Sequence, residues 1–231
     1  MEKVILFDKP AGWTSFDVVA KVRGQLKKAT RDRILESKIG EPKKTRVGHS
    51  GTLDPFATGL LVVLVGKATK KQSEFMILDK EYEASIKLGE TSTTGDPEGI
   101  IKKYNKQSIK IPSKEEIESV LKNFTGEINQ TPPIFSAVKI NGQRAYDLAR
   151  KGEEVNLKPR VVKIYEIKIT DYKYPVLEVI IRCSSGTYIR SLAADIGSEL
   201  GVGGYLTSLR RTKIGKYSVR DAKKIKEISL T

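Results

Sequence analysis

Residues 48 to 59 read Gly48-His49-Ser50-Gly51-Thr52-Leu53-Asp54-Pro55-Phe56-Ala57-Thr58-Gly59, directly ahead of the apolar run Leu60–Val65. Three glycines and a proline in twelve residues shape a loop that can bring backbone close to a ligand. Asp54 offers a carboxylate there, a group that can serve as nucleophile or general base. An aspartate ahead of proline also makes an Asx-turn, and taken alone that plainer reading is favoured by roughly two to one. His49, taken alone, is likewise more often a hydrogen-bonded structural histidine than a catalyst.

Composition removes several other chemistries. His49 and Cys183 are the one histidine and the one cysteine in 231 residues, which excludes an intrachain disulfide and a Cys/His zinc site. A Ser-His-Asp or Cys-His mechanism would have to run through His49. Carboxylate-held magnesium stays open but is not signalled. Lys+Arg number 42 against 28 Asp+Glu, a net charge of +14. Such an excess suits a polyanionic partner whose counterions are released on binding, although many basic surfaces are only solvated. The apolar run Leu60–Val65 is far short of the roughly 20 residues that span a bilayer. The N-terminal apolar stretch closes at Asp8-Lys9, too short for a signal-peptide core, so a cytoplasmic protein is expected.

The elements that must position this loop follow from periodicity. Val4–Phe7 predicts a short buried strand, and Ser15 precedes Phe16, Val19, Val22 and Leu26 at helical spacing. Residues 23–46 carry nine Lys/Arg and three Asp/Glu, 9 − 3 = +6, and predict an exposed basic excursion. Leu60–Val65 predicts a strand buried on both faces, with a helix from Ala68 to Leu78. Tyr82, Ala84, Ile86 and Leu88 alternate with Glu81, Glu83, Ser85 and Lys87, a half-buried strand. Asp96-Pro97-Glu98-Gly99 predicts a turn. Ser113 with Glu116 is a capping box, opening a helix with Ile117, Val120, Leu121 and Phe124 on one face. Strands at 162–169 and 176–183 and a helical stripe of Ile189, Leu192, Ala193, Ile196 and Leu200 complete the set. The pattern is α+β, one domain over residues 1–231 with a mixed sheet.

The loop resembles the signature of the TruB family of pseudouridine synthases, and other segments match in the same order. Asp8-Lys9-Pro10-Ala11-Gly12-Trp13-Thr14-Ser15 resembles the N-terminal KPxGxTS-type motif, and Lys80-Glu81-Tyr82 the tyrosine motif. Pro132 to Lys139 (PPIFSAVK) is similar to the P-x-x-S-A-x-K segment. Ser185-Gly186-Thr187-Tyr188-Ile189-Arg190 resembles the G-T-Y-I-R motif, with Leu209-Arg210-Arg211 matching L-R-R. The matches run from residue 8 to 211.

That resemblance implies a pseudouridine-synthase-like α+β fold. Its mixed, largely antiparallel central sheet would be flanked by helices and carry a thumb-like RNA-binding insertion at about 129–158. The insertion would bring Lys139, Arg144, Arg150, Lys151 and Lys158 to the RNA. It implies an enzyme without cofactor or metal, exchanging the N1–C1′ bond of a uridine for a C5–C1′ bond after flipping the base into a pocket. Asp54 would act at the sugar, as nucleophile or base, and Arg190 would keep it ionised. The plainer alternative for Arg190 is a surface arginine at a helix start. Tyr82 would stack on the flipped base or accept a proton at C5, and is otherwise a core tyrosine. Tyr188 and Leu209 would line the nucleotide pocket, or the core. His49 would fill the space left by the base, and Lys9 and Pro10 would buttress the site from the first strand. The eight Lys/Arg of residues 205–226, against one acid, Asp221, fit a grip on phosphates as a cluster.

The branch most resembled is the bacterial stand-alone enzyme for uridine 55 in the TΨC arm of tRNA, expected as a monomer. Guide-RNA-associated relatives share the loop and are the runner-up; a non-catalytic RNA-binding or folding factor is the alternative from another class. Two departures stand out. The chain ends about twenty residues past Leu209-Arg210-Arg211, so a short form without a C-terminal PUA-type module is expected. The segment at 23–46 is longer than the family's usual one.

Overall fold

The computed structural model describes residues 2–37, 45–104, 110–136, 138–140, 142–145, 148 and 157–227. In chain order the elements begin with β1 (Glu2–Lys9), α1 (Ser15–Ser37), β2 (Val47–His49), β3 (Thr58–Gly66) and α2 (Gln72–Met76). Next come β4 (Lys80–Leu88), β5 (Glu90–Ser92), β6 (Ile101–Lys103), α3 (Lys114–Asn123) and β7 (Gly126–Gln130). A small hairpin of β8 (Lys139–Ile140) and β9 (Gln143–Arg144) precedes β10 (Arg160–Lys173) and β11 (Val176–Cys183). The chain continues with α4 (Ile189–Glu199), β12 (Gly204–Ile214), β13 (Tyr217–Ser218) and β14 (Lys223–Lys224). It divides into two compact units: Met1–Lys80 with Arg210–Thr231, and Glu81–Leu209.

The first unit is organised by β3. Every residue from Gly59 to Val65 is buried, as a strand packed on both faces must be. β1 pairs antiparallel along its whole length, from Glu2↔Gly66 to Lys9↔Gly59. On the other edge, β2 pairs with the end of β3, and Arg210 and Arg211 of β12 pair in parallel with Thr58 and Gly59. Alternate β3 side chains feed two cores. Leu61, Val63 and Val65 meet Val18, Val19, Val22 and Leu26 of α1, while Leu60, Val62 and Leu64 meet Ala68, Phe75 and Ile214. Burial of each large side chain contributes roughly 1.5–3 kcal/mol, so this strand anchors the unit. β1 itself is only half buried, with Phe7 and Lys9 inside. Helix α1 runs on to Ser37, so the first part of the basic stretch is helical; residues 38–44 lie outside the described set.

In the second unit the strand order is β12, β4, β11, β10, β7, with β10 antiparallel to both β11 and β7. The expected alternation holds: Tyr82, Ala84, Ile86 and Leu88 face inward, as do Leu177, Val179, Ile181 and Cys183. Ser113 accepts from Glu116 N–H in the expected capping box, and α3 buries Ile117 and Leu121. Helix α4 buries Ile189, Leu192, Ala193 and Ile196 and ends tightly on Gly203-Gly204. A Cβ at Gly197 would lie 2.2 Å from Gly204 N. The architecture is a mixed, largely antiparallel sheet with helices. No described helix is long and apolar enough to cross a membrane.

Candidate active site

Asp54 sits half-buried in the first unit, between two neighbours that are each held in place. Ser15, buried at the start of α1, accepts from Leu53 N–H at 2.8 Å and donates its hydroxyl to Leu53 O at 3.2 Å. Pro55 O accepts from Gly12 N–H at 2.9 Å and from Lys9 Nζ at 3.2 Å. Lys9, fully buried, also donates to Pro10 O at 3.0 Å and Trp13 O at 2.6 Å. One ammonium therefore ties the end of β1, the turn after it and the Asp54 loop. Pro10, exposed, takes part through its carbonyl. Gly51 and Gly59, with φ of 103° and 102°, bracket the loop in a region that side-chain-bearing residues rarely adopt.

His49 lies on the same loop. Its Nδ1 is buried with no hydrogen-bond partner among the described residues. Burial first, and the Arg211 guanidinium second, push the imidazole below its ordinary value, against a smaller opposing pull from the Gly51 backbone. The ring is thus held neutral, suited to filling space.

The second unit holds Tyr82, Arg190, Tyr188 and Leu209. Arg190, in the first turn of α4, is a buried group rather than the surface arginine its position would otherwise suggest. Its Nη1 donates to Thr94 O at 3.0 Å and to Asp96 Oδ2 at 3.2 Å, and Nη2 to Phe135 O at 2.9 Å. Asp96 also accepts from Thr94 Oγ1 at 2.5 Å and Glu98 N–H at 3.0 Å, so it shapes its own turn as well. Gln130, at the root of the expected thumb, brackets Tyr188: its Oε1 accepts from Tyr188 N–H at 2.7 Å and its Nε2 donates to Tyr188 O at 3.0 Å. Ser191 Oγ adds a bond to Thr131 O at 2.9 Å. The corner that launches Arg190 is thereby stitched to residues 130–135. Tyr82 is buried on the inner face of β4, Leu209 is buried in β12, and Tyr188 is half-buried.

Sequence reasoning gives no site role to Asp96 or Gln130, and none of their own to Ser15 and Arg211, which fall inside matched motifs. Asp96 is legible only as a turn former. The basic residues of β12 are read for phosphates, yet Arg210 pairs with Asp8, at 3.0 and 2.8 Å, and Arg211 is buried. Of the thumb residues, Arg150 and Lys151 lie outside the described set.

Solved structures define the class. The chain matches "Crystal Structure of a Cbf5-Nop10-Gar1 Complex" with a TM-score of 0.68 at 29% identity over 97% of its length. It matches "Structure of H/ACA RNP bound to a substrate RNA containing 2'-deoxyuridine" at 0.66 and 26%, also over 97%. It spans about half of those chains, 53% and 51%. The fold is that of the pseudouridine synthases.

The particular family follows from sequence. The family model of the TruB family pseudouridylate synthase N-terminal domain matches residues 37–189, and that of the tRNA pseudouridylate synthase B C-terminal domain matches 190–230. The tRNA pseudouridine synthase B of Parabacteroides distasonis is 46% identical over 218 residues, 94% of this chain and 87% of the relative. That of Thermobifida fusca is 44% identical over 98% of this chain and 74% of the relative. That of Bacteroides fragilis is 47% identical over 92% and 86%. The chain belongs to the TruB family of pseudouridylate synthases.

Proposed function

We infer that this chain isomerises uridine to pseudouridine in tRNA. The observation that carries the reading is 44–47% identity, over 92–98% of the chain, to proteins named tRNA pseudouridine synthase B. The matched chains of the H/ACA RNP and the Cbf5-Nop10-Gar1 complex share 26% and 29% identity with it, which favours tRNA as the substrate. The target is uridine 55 of the TΨC loop, following the branch the motifs most resemble, and the enzyme works as a monomer.

The chemistry is an exchange of bonds with no net loss of atoms. The stacked uridine is everted into the pocket. Asp54 then engages the sugar, by attack at C1′ or by taking a proton at C2′, and the N1–C1′ bond breaks. The base turns, C5 bonds to C1′, the C5 hydrogen leaves and N1 takes up a proton. By the motif resemblance, Arg190 takes the role of carboxylate partner, Tyr82 that of the aromatic stacking on the base, and Tyr188, Leu209 and His49 those of pocket-lining residues. Support for Asp54 is the clamping of both its neighbours, which leaves the carboxylate little freedom to wander.

The test is tritium release from an unmodified tRNA transcript carrying [5-³H]uridine, without metal or nucleotide. Release is expected, is abolished by Asp54→Asn with RNA binding retained, and is absent from a transcript with cytidine at position 55. Release at an undiminished rate from Asp54→Asn overturns its role. Release from the cytidine transcript overturns the position.

A further inference from the structure

We propose that Arg211 is a positioning residue for the isomerisation, a staple that holds both ends of the Asp54 loop closed at once. The proposal rests on the functional reading above. Arg211 as a whole is 2% exposed. Its Nη2 donates to Gly51 O at 3.1 Å and its Nη1 to Thr52 O at 3.4 Å, where the loop departs. Its Nε donates to Leu60 O at 2.8 Å, where the loop rejoins β3. The main chain does the same: Arg211 pairs with Gly59, so closely that a Cβ there would lie 2.3 Å from Arg211 O. Gly51 approaches from the other end, its would-be Cβ 3.7 Å from Nη1.

The choice of side chain supports this. Arg211 forms no ion pair among the described residues, and its hydrogen bonds there go to carbonyls. A buried cation is costly, and an apolar residue in a strand would pack more cheaply. What an apolar residue lacks is a rigid planar fork able to reach two separate backbone segments together. Lysine carries the charge without the fork. Arg210 next to it points its guanidinium to Asp8 instead, so the two arginines divide the work: one ties strands, the other closes the loop.

The experiment compares wild type, Arg211→Lys and Arg211→Gln. It measures single-turnover tritium release at saturating enzyme, dissociation constants on the same tRNA, and hydrogen exchange by peptide. A small displacement of a reacting group costs up to about 100-fold in rate, so loss of about tenfold for Lys and about 100-fold for Gln is expected. Binding stays within about threefold of wild type, and exchange quickens in residues 50–61 while β10 and β11 keep their protection. Rates within about threefold of wild type for both variants overturn the proposal. So does a rate loss matched by equal loss of binding, or faster exchange throughout the chain, either of which marks a merely structural residue. Should Arg211→Gln not fold, Arg211→Lys decides by the same criteria. If the wild type releases no tritium from tRNA, the functional reading fails, while the exchange data still judge the staple.

Discussion

Arg190 Nη1 lies 3.2 Å from Asp96 Oδ2, with side chains only 7% and 3% exposed. A guanidinium keeps its charge in any surroundings proteins provide, so removing Asp96 strips a buried cation of a charged hydrogen-bond partner. Asp96→Ala is expected to destabilise the fold by about 3–5 kcal/mol, and so to lower Tm by on the order of 10 °C. Asp96→Asn, which keeps the turn's hydrogen bonds, should lose less. Both should slow tritium release more than they weaken RNA binding. Thermal melting reads the first effect, and a Tm within about 2 °C of wild type for Asp96→Ala would count against the pair's importance.

Gln130→Leu keeps the size of the side chain but strips both bonds from Tyr188. Tyr188 O still accepts from Leu192 N–H at 3.1 Å, so the half-buried Tyr188 N–H is the group that loses its partner, at a cost of about 1–3 kcal/mol, and a fall in Tm is expected. Because Arg190 leaves the chain two residues later, the single-turnover rate should fall as well. Melting and tritium release on one preparation check both, and an unaltered rate would separate the thumb root from the catalytic corner.

The pH response of His49 has a definite sign. Its folded-state value is depressed below 6.5 by burial and by Arg211, so the unfolded chain binds the extra proton first as pH falls. Stability from this group is complete above about pH 6.5 and is lost as pH falls from there through the folded-state value. His49 is the chain's one histidine, so its ring resonances need no assignment. A ¹H NMR titration should show half-protonation below pH 6.5; a midpoint at or above it would contradict the buried, neutral ring.

Helix α1 starts at Ser15, beside the Asp54 loop, and leaves Lys21, Arg23, Lys27 and Lys28 exposed. Replacing Lys27, Lys28, Lys43 and Lys44 by alanine should flatten the salt dependence of tRNA binding. The slope should fall by about 0.7–0.9 log units for each phosphate that is no longer neutralised. Filter binding at several salt concentrations measures it, and an unchanged slope would remove this segment from the RNA interface.

Legibility in the sequence tracks how local the signal is. The strand around Tyr82, the Ser113–Glu116 cap and the doubly buried Leu60–Val65 strand are written in neighbouring residues, and all three form as read. Strand β12 is not legible, because Arg210, Arg211 and Lys213 mask its alternation and suggest surface. Only the tertiary structure supplies Asp8 and the loop carbonyls that absorb those charges. The same holds for Asp96 and Gln130. Their partners are 94 and 58 residues away, and nothing in a short window distinguishes a turn aspartate from the mate of a distant arginine.

The sealed ammonium of Lys9 turns a packing detail into a reporter. An acylating reagent meets exposed amines such as Lys27 and Lys28 at once, but reaches this one only when the turn after β1 peels off the loop it grips. Mass-spectrometric labelling of that single side chain would therefore act as a clock for transient opening around the carboxylate, and bound RNA should slow it.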